Sequence, residues 1–171
     1  SLDRATGTPR WSQLIAYTDT KIEQDIGRRW FNAQVAADGG VIVCPTTVGW
    51  LVAVDRLRQS VLWAHRYLPP SDSHERDPSN QFVQQRELSF QWAPSAPIIS
   101  GSTVVYTPPE EPIVLALNLM DGKRLWEKPK DAWTYLAGVF GDRVVLVGQT
   151  EVGAFNLTTG KPDWTSPLGS D

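Results

Sequence analysis

Three tryptophans keep one fixed distance from two other residues, and that register constrains the fold more than anything else in the chain. Eight residues before Trp63, Trp126 and Trp164 stand Asp55, Asn118 and Asn156, and ten residues before them stand Ala53, Ala116 and Ala154. In the second and third copies the turn between also carries a Gly-Lys pair, Gly122-Lys123 and Gly160-Lys161. The first copy has Gln59-Ser60 there, which predicts a different turn type. Trp126 and Trp164 are 38 residues apart, whereas Trp63 and Trp126 are 63 apart, the difference being taken up by a polar insertion over 69–91. Self-similarity at a period near 40 residues is the mark of a repeat architecture.

A second register precedes the first. Trp30 and Trp133 lie 11 residues before Val41 and Val144, and Trp92 lies 12 before Val104. Each valine lies at or next to the start of a short β-rich run after a turn: Val41 after Asp38-Gly39-Gly40, Val104 behind Thr103 after Ser100-Gly101-Ser102, and Val144 after Gly141-Asp142-Arg143. Such runs between Gly- and Asp-bearing turns read as short buried strands. Each unit then holds four strands, in the middle unit at 96–100, 103–107, 113–118 and 124–127. The predicted fold is all-β, a partial or small β-propeller of four-stranded antiparallel blades. It is organised as blades over 30–68, 92–131 and 132–171, with the insertion over 69–91 between the first two.

The register has a physical reason. One four-stranded sheet cannot bury both faces, and radial stacking covers them. A tryptophan late in each unit offers a large apolar ring to the neighbouring sheet, while its N–H needs an acceptor such as a backbone carbonyl. Ala at the earlier position leaves room for the ring, Asp or Asn closes the turn through its side chain, and Gly takes the left-handed position. Residues 1–29 read two ways. Trp11, Leu14, Ile15, Thr18, Ile22 and Ile26 fall at helical spacing, with Ser12 as cap and Gly27 as stop; equally, 14–18 reads as a strand of a degenerate blade.

Composition narrows the function. Of 171 residues, 41% are apolar and 20% charged, an ordinary globular balance. A net charge of −3 argues against nucleic acid or an anionic membrane surface as partner. The single cysteine, Cys44, excludes an internal disulfide framework. No apolar run reaches the ~18 residues of a membrane span, and the first residues carry no leader pattern. His65 and His74 have no metal spacing; His65 reads as a surface or interface group beside Trp63, and His74 as part of a solvated loop. Asn156-Leu157-Thr158 matches a glycosylation sequon but lies inside the repeated turn.

The pattern Ala-x-Asp/Asn-x-x-x-Gly-Lys-x-x-Trp resembles the tryptophan-docking motif of the PQQ-like, or quinoprotein, β-propeller repeats. The resemblance covers roughly residues 30–167. It implies that Ala53, Asp55, Trp63, Ala116, Asn118, Gly122, Trp126, Ala154, Asn156, Gly160 and Trp164 are structural. Relatives are quinone-cofactor dehydrogenases or non-catalytic scaffolds of the BamB type, mostly outside the cytoplasm, which implies a periplasmic or otherwise extracytoplasmic setting. A quinone site needs carboxylates for Ca²⁺, an Asp base and, in several relatives, a pair of adjacent cysteines. This sequence has no Cys-Cys pair and none of the hydrolase, nucleotide or zinc motifs, so neither catalytic residues, nor a metal, nor a cofactor is assigned.

The expected function is therefore a non-catalytic module for protein–protein interaction or scaffolding, the alternative being a fragment of a PQQ-dependent dehydrogenase or related ligand sensor. Long loops on compact scaffolds tend to carry function. Candidate partner contacts are Arg76, Phe82 and Arg86 in the insertion, and Pro108, Glu110 and Glu111 before the third strand of the middle unit. Bare blade edges also invite self-association.

Overall fold

The computed structural model describes residues 1–19, 21, 23, 33–46, 48–68, 93 and 95–169. Among these residues twelve strands form three four-stranded antiparallel sheets, each a simple meander in chain order. The first holds β1 (Ala36–Asp38), β2 (Val41–Pro45), β3 (Trp50–Asp55) and β4 (Ser60–Arg66). The second holds β5 (Ile98–Ser100), β6 (Thr103–Tyr106), β7 (Ile113–Asn118) and β8 (Arg124–Pro129). The third holds β9 (Trp133–Phe140), β10 (Arg143–Gly148), β11 (Glu151–Asn156) and β12 (Pro162–Pro167). The all-β, propeller-like organisation expected from the sequence is present. In the middle unit β5 starts two residues later than expected, β6 stops one earlier, and β8 runs two further.

The three sheets share one register. Ala53 pairs with Trp63, Ala116 with Trp126, and Ala154 with Trp164, and in each sheet the pairing slips directly after the alanine. Residues directly opposed on an antiparallel pair share a face, so each small side chain sits beneath its own tryptophan. The slip is a β-bulge, which bends the outer strand and increases its twist.

Period-two alternation splits the middle sheet between two cores. Val104, Tyr106, Leu115 and Leu117 face the first sheet and join Val41, Val43, Leu51, Ala53 and Trp63. Val105, Val114 and Ala116 face the other way and join Trp133, Leu136, Val144, Leu146 and Phe155 of the third sheet. That is why all four residues of β6 are buried: a strand covered on both sides reads as a continuous apolar run. Every residue of β12 is exposed, since no further sheet of the described residues lies against it.

Residues 1–19 form neither a helix nor a strand of a blade. They hold an isolated bridge between Leu2 and Pro9 around a turn in which the Asp3 carboxylate accepts the amides of Ala5 and Thr6, both at 2.9 Å. Leu14 and Tyr17 are exposed. A short segment gains a helix only by packing an apolar face, and the described residues do not cover those two side chains; Ile22, Ile26 and Gly27 of the expected helix lie outside the described residues. Trp30, Trp92 and the insertion over 69–91 lie outside the described residues.

Candidate functional site

The two joints between sheets are built alike. At the first, Trp63 Nε1–H donates to the Leu119 carbonyl at 2.7 Å. At the second, Trp126 Nε1–H donates to the Leu157 carbonyl at 2.8 Å. Each ring lies on a glycine of the next unit's turn. A Cβ added to Gly122 would stand 2.6 Å from Trp63 Cδ2, and one added to Gly160 would stand 2.7 Å from Trp126 Cδ2. Both glycines are left-handed, with φ of 68° and 66°, so neither the space nor the backbone admits a side chain. Trp63 and Trp126 are buried, whereas Trp164 is 44% exposed and its indole makes no hydrogen bond among the described residues.

The Asx residues hold those turns. Asn118 Oδ1 accepts the amides of Met120 and Asp121 at 2.8 and 3.3 Å. Asn156 Oδ1 accepts those of Thr158 and Thr159 at 3.1 and 3.0 Å. Asp55 Oδ1 does the same for Leu57 and Arg58 at 2.8 and 2.9 Å, and the Arg58 amide foremost holds its carboxyl below the usual range. The different turn type expected of the first copy is not found. Gln59 adopts φ 55°, the left-handed conformation of its glycine counterparts. No ring of the described residues rests on Gln59, which is exposed, so among them the side chain meets only the backbone cost of that conformation.

The opposite ends of the strands carry the loop candidates. Antiparallel order puts the connections after β2, β4, β6, β8 and β10 at the far end from the Asx turns. There Tyr67, just past β4, donates its hydroxyl to the Glu110 carboxylate at 3.2 Å and meets Tyr106 edge-on at 5.9 Å. The root of the insertion is thereby tied to the loop bearing Pro108, Glu110 and Glu111. Burial pushes both tyrosine hydroxyls well above their ordinary range, and raises Glu111 with help from Glu127. Glu110 and Glu111 are half-buried. Pro108 is buried, so it presents no surface for the partner contact expected of it. A proline cannot donate to a ladder, and Pro108 and Pro109, both buried, follow the end of β6 at Tyr106. Arg76, Phe82 and Arg86 lie outside the described residues.

Cys44 is a buried residue of β2, and burial pushes its thiol up. No three His, Cys, Asp or Glu side chains come together as a metal group among the described residues. No helix among them is long and apolar enough to cross a membrane.

A sequence model of the family described as outer membrane protein assembly factor BamB matches residues 1–171. Among solved structures, BamB from Moraxella catarrhalis superposes with a TM-score of 0.51 at 22% identity, over 77% of this chain and 35% of that one. A europium-containing methanol dehydrogenase gives 0.56 at 15% identity, over 78% and 24%. The quinohemoprotein alcohol dehydrogenase of Comamonas testosteroni gives 0.55 at 13%, over 80% and 21%. These likenesses show the fold, and the chain spans about a fifth to a third of each of those proteins. No curated protein matches the sequence.

Proposed function

The chain belongs to the family of PQQ-like repeats described as outer membrane protein assembly factor BamB, and from that membership we propose that it is a non-catalytic β-propeller module for protein–protein interaction and scaffolding. Its setting is periplasmic or otherwise extracytoplasmic, and its work is the assembly of outer-membrane proteins. The observation that carries this reading is where the bonding capacity of the repeated residues goes. Trp63 and Trp126 each place their one N–H on a backbone carbonyl of the next sheet, and the three Asx side chains are spent on turns. What remains for a partner is the loop end, where Tyr67, two residues before the insertion begins in sequence, bonds to Glu110. Propellers present such loops on a scaffold fixed by packing.

The test is a photo-reactive residue placed at Glu111 of the full-length protein in cells, beside a variant with 69–91 replaced by a short Gly-Ser linker. A discrete protein adduct, lost with the insertion, is the expected result. No adduct in either form would refute the reading. Titration with the quinone and Ca²⁺, followed by absorbance and dye-linked alcohol oxidation, separates off the dehydrogenase alternative. Self-association belongs to the same proposal. Trp164 on β12 and Leu168 just beyond it are 44% and 43% exposed, and light scattering across a concentration series reads self-association directly.

A further inference from the structure

Each joint carries a second bond two residues beyond its tryptophan. His65 follows Trp63 by two, and its Nδ1 stands 3.1 Å from the Gly122 carbonyl oxygen. Lys128 follows Trp126 by two, and its Nζ donates to the Gly160 carbonyl at 3.0 Å. The acceptors correspond: each is the carbonyl of the left-handed glycine that floors the docked ring. A spacing of two puts donor and indole on one face of the strand. The two side chains share little else. One is a flat imidazole; the other is a flexible ammonium that also lies over the Phe155 ring at 4.7 Å. What they have in common is a nitrogen that reaches the glycine oxygen.

We propose that the residue two places after the tryptophan is the second half of an inter-sheet clasp, required only to be a nitrogen donor that spans to the glycine carbonyl. One bond, from indole to carbonyl, sets the separation of two sheets but leaves them a pivot. A second bond, displaced along the strand, fixes their rotation. Because a carbonyl oxygen only accepts, His65 must carry its proton on Nδ1. His65 and Lys128 are thus positioning residues for the joints, and each answers for the turn it grips: 119–123 for His65 and 157–161 for Lys128.

Two measurements test this on the full-length protein. The first is the ¹⁵N signature of the His65 ring above its titration range. The Nδ1–H tautomer is expected, and the Nε2–H tautomer would overturn the clasp without any mutation. The second is amide hydrogen exchange in the two turns. His65→Leu is expected to speed exchange over 119–123 by about threefold to tenfold, the worth of one net hydrogen bond, and to leave 157–161 unchanged. Lys128→Leu is expected to do the reverse. His65→Lys, which moves the second joint's donor into the first, is expected to restore protection over 119–123. If His65→Lys exchanges as fast as His65→Leu, or if either loss spreads equally over both turns, the proposal fails.

Discussion

Ala116 lies directly across the strand pair from Trp126, and the pairing slips by one residue immediately beyond it. The small side chain leaves the indole room, and the slip turns the ring toward the third sheet, where Leu157 accepts its N–H. The same opposition and the same slip occur at Ala53 and Ala154. The joint is therefore a property of three residue types in register, and it can be taken apart one type at a time.

The glycine floors come first. Gly122 and Gly101 are both left-handed, with φ of 68° and 57°. A Cβ at Gly101 meets nothing within 4 Å, whereas one at Gly122 strikes the Trp63 ring. Gly101→Ala is expected to cost about 1 kcal/mol of backbone strain. Gly122→Ala carries the same strain and an overpacking cost of about 1–3 kcal/mol more. Urea denaturation of the pair, with m unchanged, isolates the contact from the strain.

The tryptophans are not equal. Trp126→Ala removes a buried ring and its bond, with an expected loss of about 3–5 kcal/mol. Trp164→Ala, at a position 44% exposed, is expected to stay within about 1 kcal/mol of the parent protein. Equal losses at the two sites would mean that Trp164 is covered in solution.

Acid is expected to lower stability at His65, because burial penalises the charge of the half-buried ring there while its Nδ1–H still donates to Gly122. Burial foremost lowers the His65 pKa; the Gly122 carbonyl and Glu127 oppose that, and Arg124 adds to it. The folded value lies below the unfolded one, so the unfolded chain binds more protons in acid. The stability that His65 contributes is complete above the unfolded pKa of about 6.5 and is lost as pH falls below it. His65→Gln is expected to flatten the stability profile between about pH 5 and 7, the range in which an ordinary imidazole titrates. The lowered carboxyls of Asp3, Asp55 and Asp121 act in the same direction only in stronger acid.

Gln59→Gly is expected to stabilise the protein by about 0.5–1 kcal/mol, because a non-glycine residue at φ 55° gives up strain that glycine does not bear. A shift of the thermal midpoint by a few degrees upward is the readout.

Much of this was legible in the sequence. The strands of the middle unit follow from Val and Ile runs bounded by Gly and Asp turns, and the joints follow from the constant Ala–Asx–Trp spacing. The bulge after each alanine was not legible, because register slips leave no mark in residue type. Lys128 was missed, and His65 was read only as a surface or interface group, because one position filled by His and then Lys shows no repeat until the shared acceptor is seen. The first turn misled for the converse reason. Losing glycine suggested a new shape, yet the Asp55 bonds to Leu57 and Arg58 keep the old one. The helical spacing of Trp11, Leu14, Ile15 and Thr18 makes no helix within 1–19, while Ile22 and Ile26 lie outside the described residues.

Gln59 also makes the three units non-interchangeable. A tandem assembled by copying the third unit would seat each indole on a bare glycine and extend freely. One assembled by copying the first would drive a glutamine β-carbon into the incoming ring at its earliest junction, so the order of the copies along the chain carries information that their common outline hides.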